Sequence, residues 1–329
     1  MIQFIIISGS NGQDVSNMFE KIVWSGRKGA APRSVQITLI DDDNKGRPRA
    51  TVDCARGDTC VFYEDGIELF RGIIISTSQG SGRKLVIKAY DNMYYWANNM
   101  DSFSYENMKA SEIFDDCRNR LGMNGGECAD TAYVIPSLPK KKTTFYDVVL
   151  DALSTTYNAT GLRYYISSEK GDIHLRRRAE NALQWVLETG SEQSNITNYT
   201  YDKSIENIRT RVRLLSNENA VVYERTNEEL EAAIGTFMEV KSVSDSYNDA
   251  QIQELVDSVF DEKGNPEQSL KVTGKGASDA ISGKAVYVII PHLNIKRTFY
   301  IDQDKHTYTR FQHTMELTLN WANDIEDAG

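Results

Sequence analysis

Residues 57–76 read GDTCVFYEDGIELFRGIIIS, and residues 84–91 continue as KLVIKAYD. Gly57-Asp58 turns the chain into the run TCVFY, rich in aromatic and β-branched side chains. Glu64-Asp65-Gly66 turns it again into IELFRGIIIS, and SQGSGR turns it into KLVIKAYD. Upstream, SVQITLI sets Val35, Ile37 and Leu39 against Ser34, Gln36 and Thr38, a period of two. Short strands about ten residues apart, joined by Gly, Asp and Asn, predict a small β barrel or sandwich for the first hundred residues. Met1–Ser8, MIQFIIIS, lacks a basic leader region and is far too short to span a membrane, so it reads as a further strand.

The 329 residues are enough for two or three domains, and 40% hydrophobic with 26% charged is the balance of a soluble globular chain. The net charge of −10 is concentrated: residues 218–267 carry 13 acids against 3 bases. No basic stripe runs along the sequence, which argues against nucleic-acid binding, where Lys and Arg on phosphate supply most of the affinity. Cys54, Cys60, Cys117 and Cys128 have no metal-binding spacing and read as buried free thiols.

From about residue 104 the period changes. NMKASEIFDDCRNRLG (107–122) puts Ile113, Phe114, Cys117 and Leu121 on one helical face, acids first and bases last, with Gly122 closing it. TTFYDVVLDALSTTYNATG (143–161) is a second helix; LRYYIS and DIHLRR form a hairpin, and LQWVLE a strand. Strands return in 198–216, followed by the acidic helices NEELEAAIG and DAQIQELVDSVFDEKG. GKAVYVIIP, RTFYID and RFQHTMELTLNW end the chain as strands. Their order, glycine then apolar strand, turn, aromatic strand and alternating strand, echoes residues 57–91 and hints at duplication. The fold class is mainly β with α+β parts.

No motif in the chain commits it to chemistry. LIDDDNKGRPRA (39–50) has three aspartates and a well-placed Gly46. As a calcium loop, however, position 5 would be Lys45 and position 12 Val52, between strands instead of helices. Asp and Asn tolerate tight turns and Pro48 stops strand pairing, so this is a connecting loop. GKGASDAISGKA (274–285) has the wrong spacing for a phosphate loop and precedes a strand, so it reads as a flexible loop. PKKKT (139–143) reads as another loop. His306 and His313, if they share one strand, face opposite sides. No metal, cofactor or catalytic residue is assigned.

The order of these pieces resembles the hub proteins of contractile phage tails and phage-like bacteriocin particles, the late control protein D group among them. The resemblance rests on Gly57, Asp58, Leu69, Phe70, Gly72 and Asp91 in the first strand region, on the helix-rich middle, and on YDKSIENIRTRVRL (201–214). It spans nearly the whole chain. It implies two tube-protein-like β-barrels plus a helix-containing middle domain and a helical insert. The corresponding boundaries are 1–98 for the first barrel, 99–190 for the middle domain, 191–224 with 284–329 for the second barrel, and 225–283 for the acidic insert. It further implies a homotrimeric ring that adapts a six-fold tail tube to a three-fold spike. The partners would be tube, spike and other baseplate proteins, in a virion or tailocin assembled in the bacterial cytoplasm. Neither specific nucleic-acid binding nor stable membrane association is expected. Asp41, Asp42, Asp43, Asn44, Lys45 and Arg47 are then expected at a ring or subunit contact. The alternative is a peptidoglycan- or polysaccharide-active enzyme on a β scaffold, with a paired-carboxylate cleft.

Overall fold

The computed structural model describes residues 1–40, 52, 54–79, 84–123, 125–243 and 247–321. Seven strands open the chain: β1 (Ile2–Ser8), β2 (Asn11–Asp14), β3 (Phe19–Arg27), β4 (Ala30–Ile40), β5 (Thr59–Glu64), β6 (Ile67–Gln79) and β7 (Lys84–Asp91). They lie in the order β3-β4-β7-β6-β5-β1-β2, and every neighbouring pair is antiparallel. Trp24 on β3 and Phe62 on β5 are four strands apart, about 19 Å on a flat sheet. Their rings are only 6.4 Å apart, so the sheet curls into a barrel. Phe4, Ile22, Val35, Ile37, Phe62 and Ile87 fill it. This is the alternation of the sequence turned inward.

The residues carrying the family resemblance have physical work in this barrel. A Cβ on Gly72 would lie 2.1 Å from the Tyr90 carbonyl oxygen, so only glycine lets β6 approach β7 there. Asp91, opposite Gly72 in the register, is buried and accepts from the Met93 amide at 3.0 Å. Gly57 takes φ +101°, and the Asp58 carboxylate accepts from the Ala55 amide to close the turn.

A mixed α+β region follows: α1 (Met93–Asn98), β8 (Met100–Lys109), α2 (Ala110–Arg120), β9 (Val134–Thr144), α3 (Phe145–Thr160), β10 (Tyr164–Glu169) and β11 (Asp172–Arg177). Thr144 caps α3 through the Asp147 amide, and Gly161 ends it in the left-handed conformation. Ile113, Phe114 and Cys117 of α2 and Val148, Val149 and Ala152 of α3 share one core, as the helical period predicts. The loop expected at Pro139–Thr143 is instead part of β9, paired with β8. Leu138 faces the core there while the lysines face outward, which hides the strand in a polar run.

After β12 (Ala182–Glu188) and β13 (Ile196–Ser204), residues 200–270 form a second compact unit. It holds β14 (Arg211–Leu215), β15 (Val221–Thr226), α4 (Glu228–Ile234), β16 (Met238–Ser242) and α5 (Asp249–Lys263). The sheet order is β15-β14-β16. Val212 and Leu214, on one face of β14, pack against Ile252, Val256 and Val259 of α5. The structure therefore divides this stretch differently from the expected boundaries. The strands β14 and β15, which over 211–224 were expected in the second barrel, belong with the helices, and the apolar face of β14 is covered by α5. Part of the expected insert returns to the large sheet as β17 (Glu267–Lys275).

The last strands are β18 (Ala285–Ile290), β19 (Ile295–Thr309) and β20 (His313–Trp321). The second half has the order β13-β17-β20-β19-β18-β12. Position by position this repeats β3-β4-β7-β6-β5-β1. One pairing differs, since β12 runs parallel to β18 whereas β1 runs antiparallel to β5. The tight turn that joins β3 to β4 is replaced, between β13 and β17, by the second unit. β19 belongs to both halves: Ile295–Tyr300 pair with β18, while Gln303–Thr309 pair with β3. A bulge between Ile301 and Gln303 marks the change. No described helix is long and apolar enough to cross a membrane.

Candidate assembly site

The polar residues nearest a catalytic arrangement gather where the two halves meet. Asp304, wholly buried on β19, receives both terminal nitrogens of Arg33 from β4, at 2.8 and 2.5 Å, and the Ser282 amide at 2.6 Å. Gly26 makes room for that guanidinium, since a Cβ there would lie 2.1 Å from Arg33 Nη1. Arg33 also stacks over Trp24 at 4.5 Å. On the other side of the bulge, the buried Arg178 donates to Asp302 Oδ1 at 2.9 Å and to the Ile301 carbonyl at 3.2 Å. These arginines fasten the bulge of β19 from both sides.

Ser282, His306 and Asp304 are the residue types of a nucleophilic triad, yet the hydrogen bonds are wrong for one. His306 Nε2–H donates to the Ala280 carbonyl at 3.0 Å, which leaves Nδ1 to accept from His313 Nε2–H at 3.0 Å. Neither nitrogen is free to take a proton from Ser282. Burial holds His306 down at about 4, so the pair is neutral at pH 7. The two histidines lie on adjacent strands, with a turn between them, so the condition of a shared strand is not met, and their rings touch. His313 stacks on Tyr308 at 3.8 Å, with Nδ1 3.5 Å from Glu64 Oε1.

The loop 274–285 is tied down at three points. His306 holds the Ala280 carbonyl, Asp304 the Ser282 amide, and the Trp185 indole reaches Asp279 at 3.0 Å. Cys54, Cys60, Cys117 and Cys128 are free thiols, and burial pushes Cys60 and Cys117 up to about 12. Among the described residues, no group of His, Cys, Asp and Glu has the geometry to hold a metal ion.

What the first unit does offer is exposed apolar surface. Phe311, at the turn between β19 and β20, is 97% exposed. Its neighbour Arg310 donates to the carbonyls of Asn17 and Phe19, and the Ile40 amide donates to the Met18 carbonyl. Phe311 and the half-exposed Ile40 therefore share one rim of the first barrel. An aromatic side chain held out on a braced turn is the type of residue that anchors protein interfaces. Asp41, Asp42, Asp43, Asn44, Lys45 and Arg47, expected at a contact, lie outside the described residues; Ile40 leads directly into them. Phe311 carried no signal in the sequence, because an isolated phenylalanine is ordinarily read as core. In the second unit, Met238 and Val240 on β16 share the sheet face of Arg211 and Arg213, opposite α5, and are exposed.

The model of the YQBQ-like family matches residues 22–320, across both halves of the large sheet. The chain belongs to the YQBQ-like family. Its relative XkdQ, a protein of the phage-like element PBSX of Bacillus subtilis (strain 168), is 32% identical over 99% of both chains. Among solved structures, this YQBQ-like chain is similar to a tail protein of Neisseria meningitidis MC58. The TM-score is 0.71 and the identity 15%, over 98% of this chain and 97% of that one. It is also similar to the 43 kDa tail protein of prophage MuSo2 from Shewanella oneidensis, with TM-score 0.73 and identity 10%, over 98% and 100%. The YQBQ-like fold is thus that of phage tail proteins.

Proposed function

We propose that this chain is a non-enzymatic hub of a contractile phage tail or tailocin baseplate, assembling as a homotrimer between tail tube and spike. The observation that carries the reading is the repeated strand order: each chain holds two similarly ordered β halves joined in one sheet. Three such chains supply six similar halves in a ring, which matches a six-fold tube on one face and leaves a three-fold object for a spike on the other. The absence of a basic stripe in the sequence suits a conduit that DNA passes through without adhering.

Native mass spectrometry of the purified chain, alone and mixed with the products of its neighbouring genes, tests this. A trimer, or a three-fold complex with a tube or spike partner, is expected; a monomer in every mixture overturns the reading. Deletion of Asp41–Arg47 is expected to leave the chain folded while blocking its joining to the tube. Normal joining would remove that loop from the interface.

A further inference from the structure

A cavity of about 410 Å³ opens in the first unit, within the size range of ligand sites. It is walled by the β3–β4 turn, the start of β6, α3, β10 and the loop 278–284. Pro32, Leu69, Leu150 and Ile166 give it a largely apolar interior. Its charges do not cancel. Of the carboxylates in the wall, Glu68 is neutralised by Arg71 and Glu169 by Arg176, while Asp279 accepts from the Trp185 indole and keeps its charge, one anion against the three cations that follow. Arg33, in the same wall, is spent on Asp304. Arg27 and Lys170, both exposed at the mouth, pair with no carboxylate among the described residues. Lys284 adds a third cation, whose field acts on Glu169.

In a chain of net charge −10, this is an apolar hole with a positive mouth. We infer that it is a docking site for an acidic peptide segment of a partner protein, one aliphatic or aromatic side chain entering the cavity and flanking carboxylates meeting Arg27 and Lys170. Charge complementarity selects the partner: an uncharged segment leaves the two cations unanswered, and a basic one is repelled. The site supplies one contact of the assembly proposed above and rests on that reading only for its partner being a protein.

Selection of a displayed random octapeptide library on the purified full-length chain tests it. Enriched peptides are expected to carry a large apolar residue between Asp or Glu. They should bind the double variant Arg27→Glu, Lys170→Glu about tenfold more weakly, and bind less as salt rises. Ala30→Trp, at an exposed position on the mouth, should block them while the circular dichroism spectrum and melting temperature stay unchanged. Enrichment of neutral or basic peptides, or indifference to both variants, overturns the proposal. So does binding of octanoate in the cavity with no peptide enriched, which would make it a site for small amphiphilic anions. Peptide binding is read on the isolated chain, so its failure leaves the trimer test untouched, and failure of the trimer test leaves it untouched in turn.

Discussion

Asp304 and Arg33 illustrate how single residues hold the two halves of the sheet together. The carboxylate is fully buried and the guanidinium nearly so, which makes each depend on the other. Asp304→Ala strands a buried cation and is expected to cost about 3–5 kcal/mol, whereas Arg33→Met with Asp304→Leu should come within about 1–2 kcal/mol of the parent. Urea denaturation of the two variants measures the contrast. Two other buried groups set the pH response. Burial raises Asp91 to about 7, so the folded chain holds a proton there that the unfolded chain releases above its ordinary value of 3.8. Stability from Asp91 is full below that value and is lost as pH rises toward 7. Burial depresses His306 to about 4 from 6.5, so its contribution is present above 6.5 and is lost as pH falls toward 4. Between pH 4 and 6.5 the two oppose one another, each by about 3 kcal/mol. Asp91→Asn removes one arm: relative to the parent, the variant should lose about 3 kcal/mol on acidification across that window, as read by urea titrations at stepped pH. A constant difference would show that Asp91 is ionised in the fold.

At the scale of elements, the close pass of β6 against β7 turns on Gly72. Gly72→Ala forces its methyl group into the Tyr90 carbonyl and should cost about 1–3 kcal/mol, seen as a lower urea midpoint and faster amide exchange in 84–91. What was legible in the sequence at this scale follows from local pattern. β5, β6 and β7 combine apolar runs with Gly and Asp turns, and α2 and α3 combine a clean helical face with end signals, so both classes could be read directly. β8 and β9 could not. Phe103 and Tyr105 alternate for a single step, Ile135 and Leu138 are buried three residues apart, off the period of two, and the lysines of β9 masked that strand as a loop. The six-residue α1 is too short for a period to show. The boundaries of the second unit were missed for another reason: alternating Arg211, Val212, Arg213 and Leu214 reveal a half-buried strand but not which partner covers it. The exposed rim was out of reach altogether, since Phe311 is placed there by Arg310 reaching Asn17 and Phe19 across the fold.

For the whole molecule, the decisive fact is a pairing that no local pattern encodes. The echo between residues 57–91 and 283–321 pointed to two related halves; that they merge into one sheet depends on β3 meeting β19, nearly the full chain length away. Residues 1–181 expressed alone should therefore fail as an independent domain. β3 becomes an open edge, and Phe62 loses the Tyr308 ring that lies 5.1 Å from it. Aggregation on size-exclusion chromatography is expected, relieved by co-expressing residues 182–329; a monodisperse 1–181 would mean that the first barrel closes without its partner strand. The shared strand also decides how the protein answers mechanical load. Traction along β19 is carried by β3 on one flank and β20 on the other, and the antiparallel rungs from Gln303 to Thr309 lie across that direction. They are strained together in shear rather than unzipped one after another, so the join between the halves yields only when the whole ladder does.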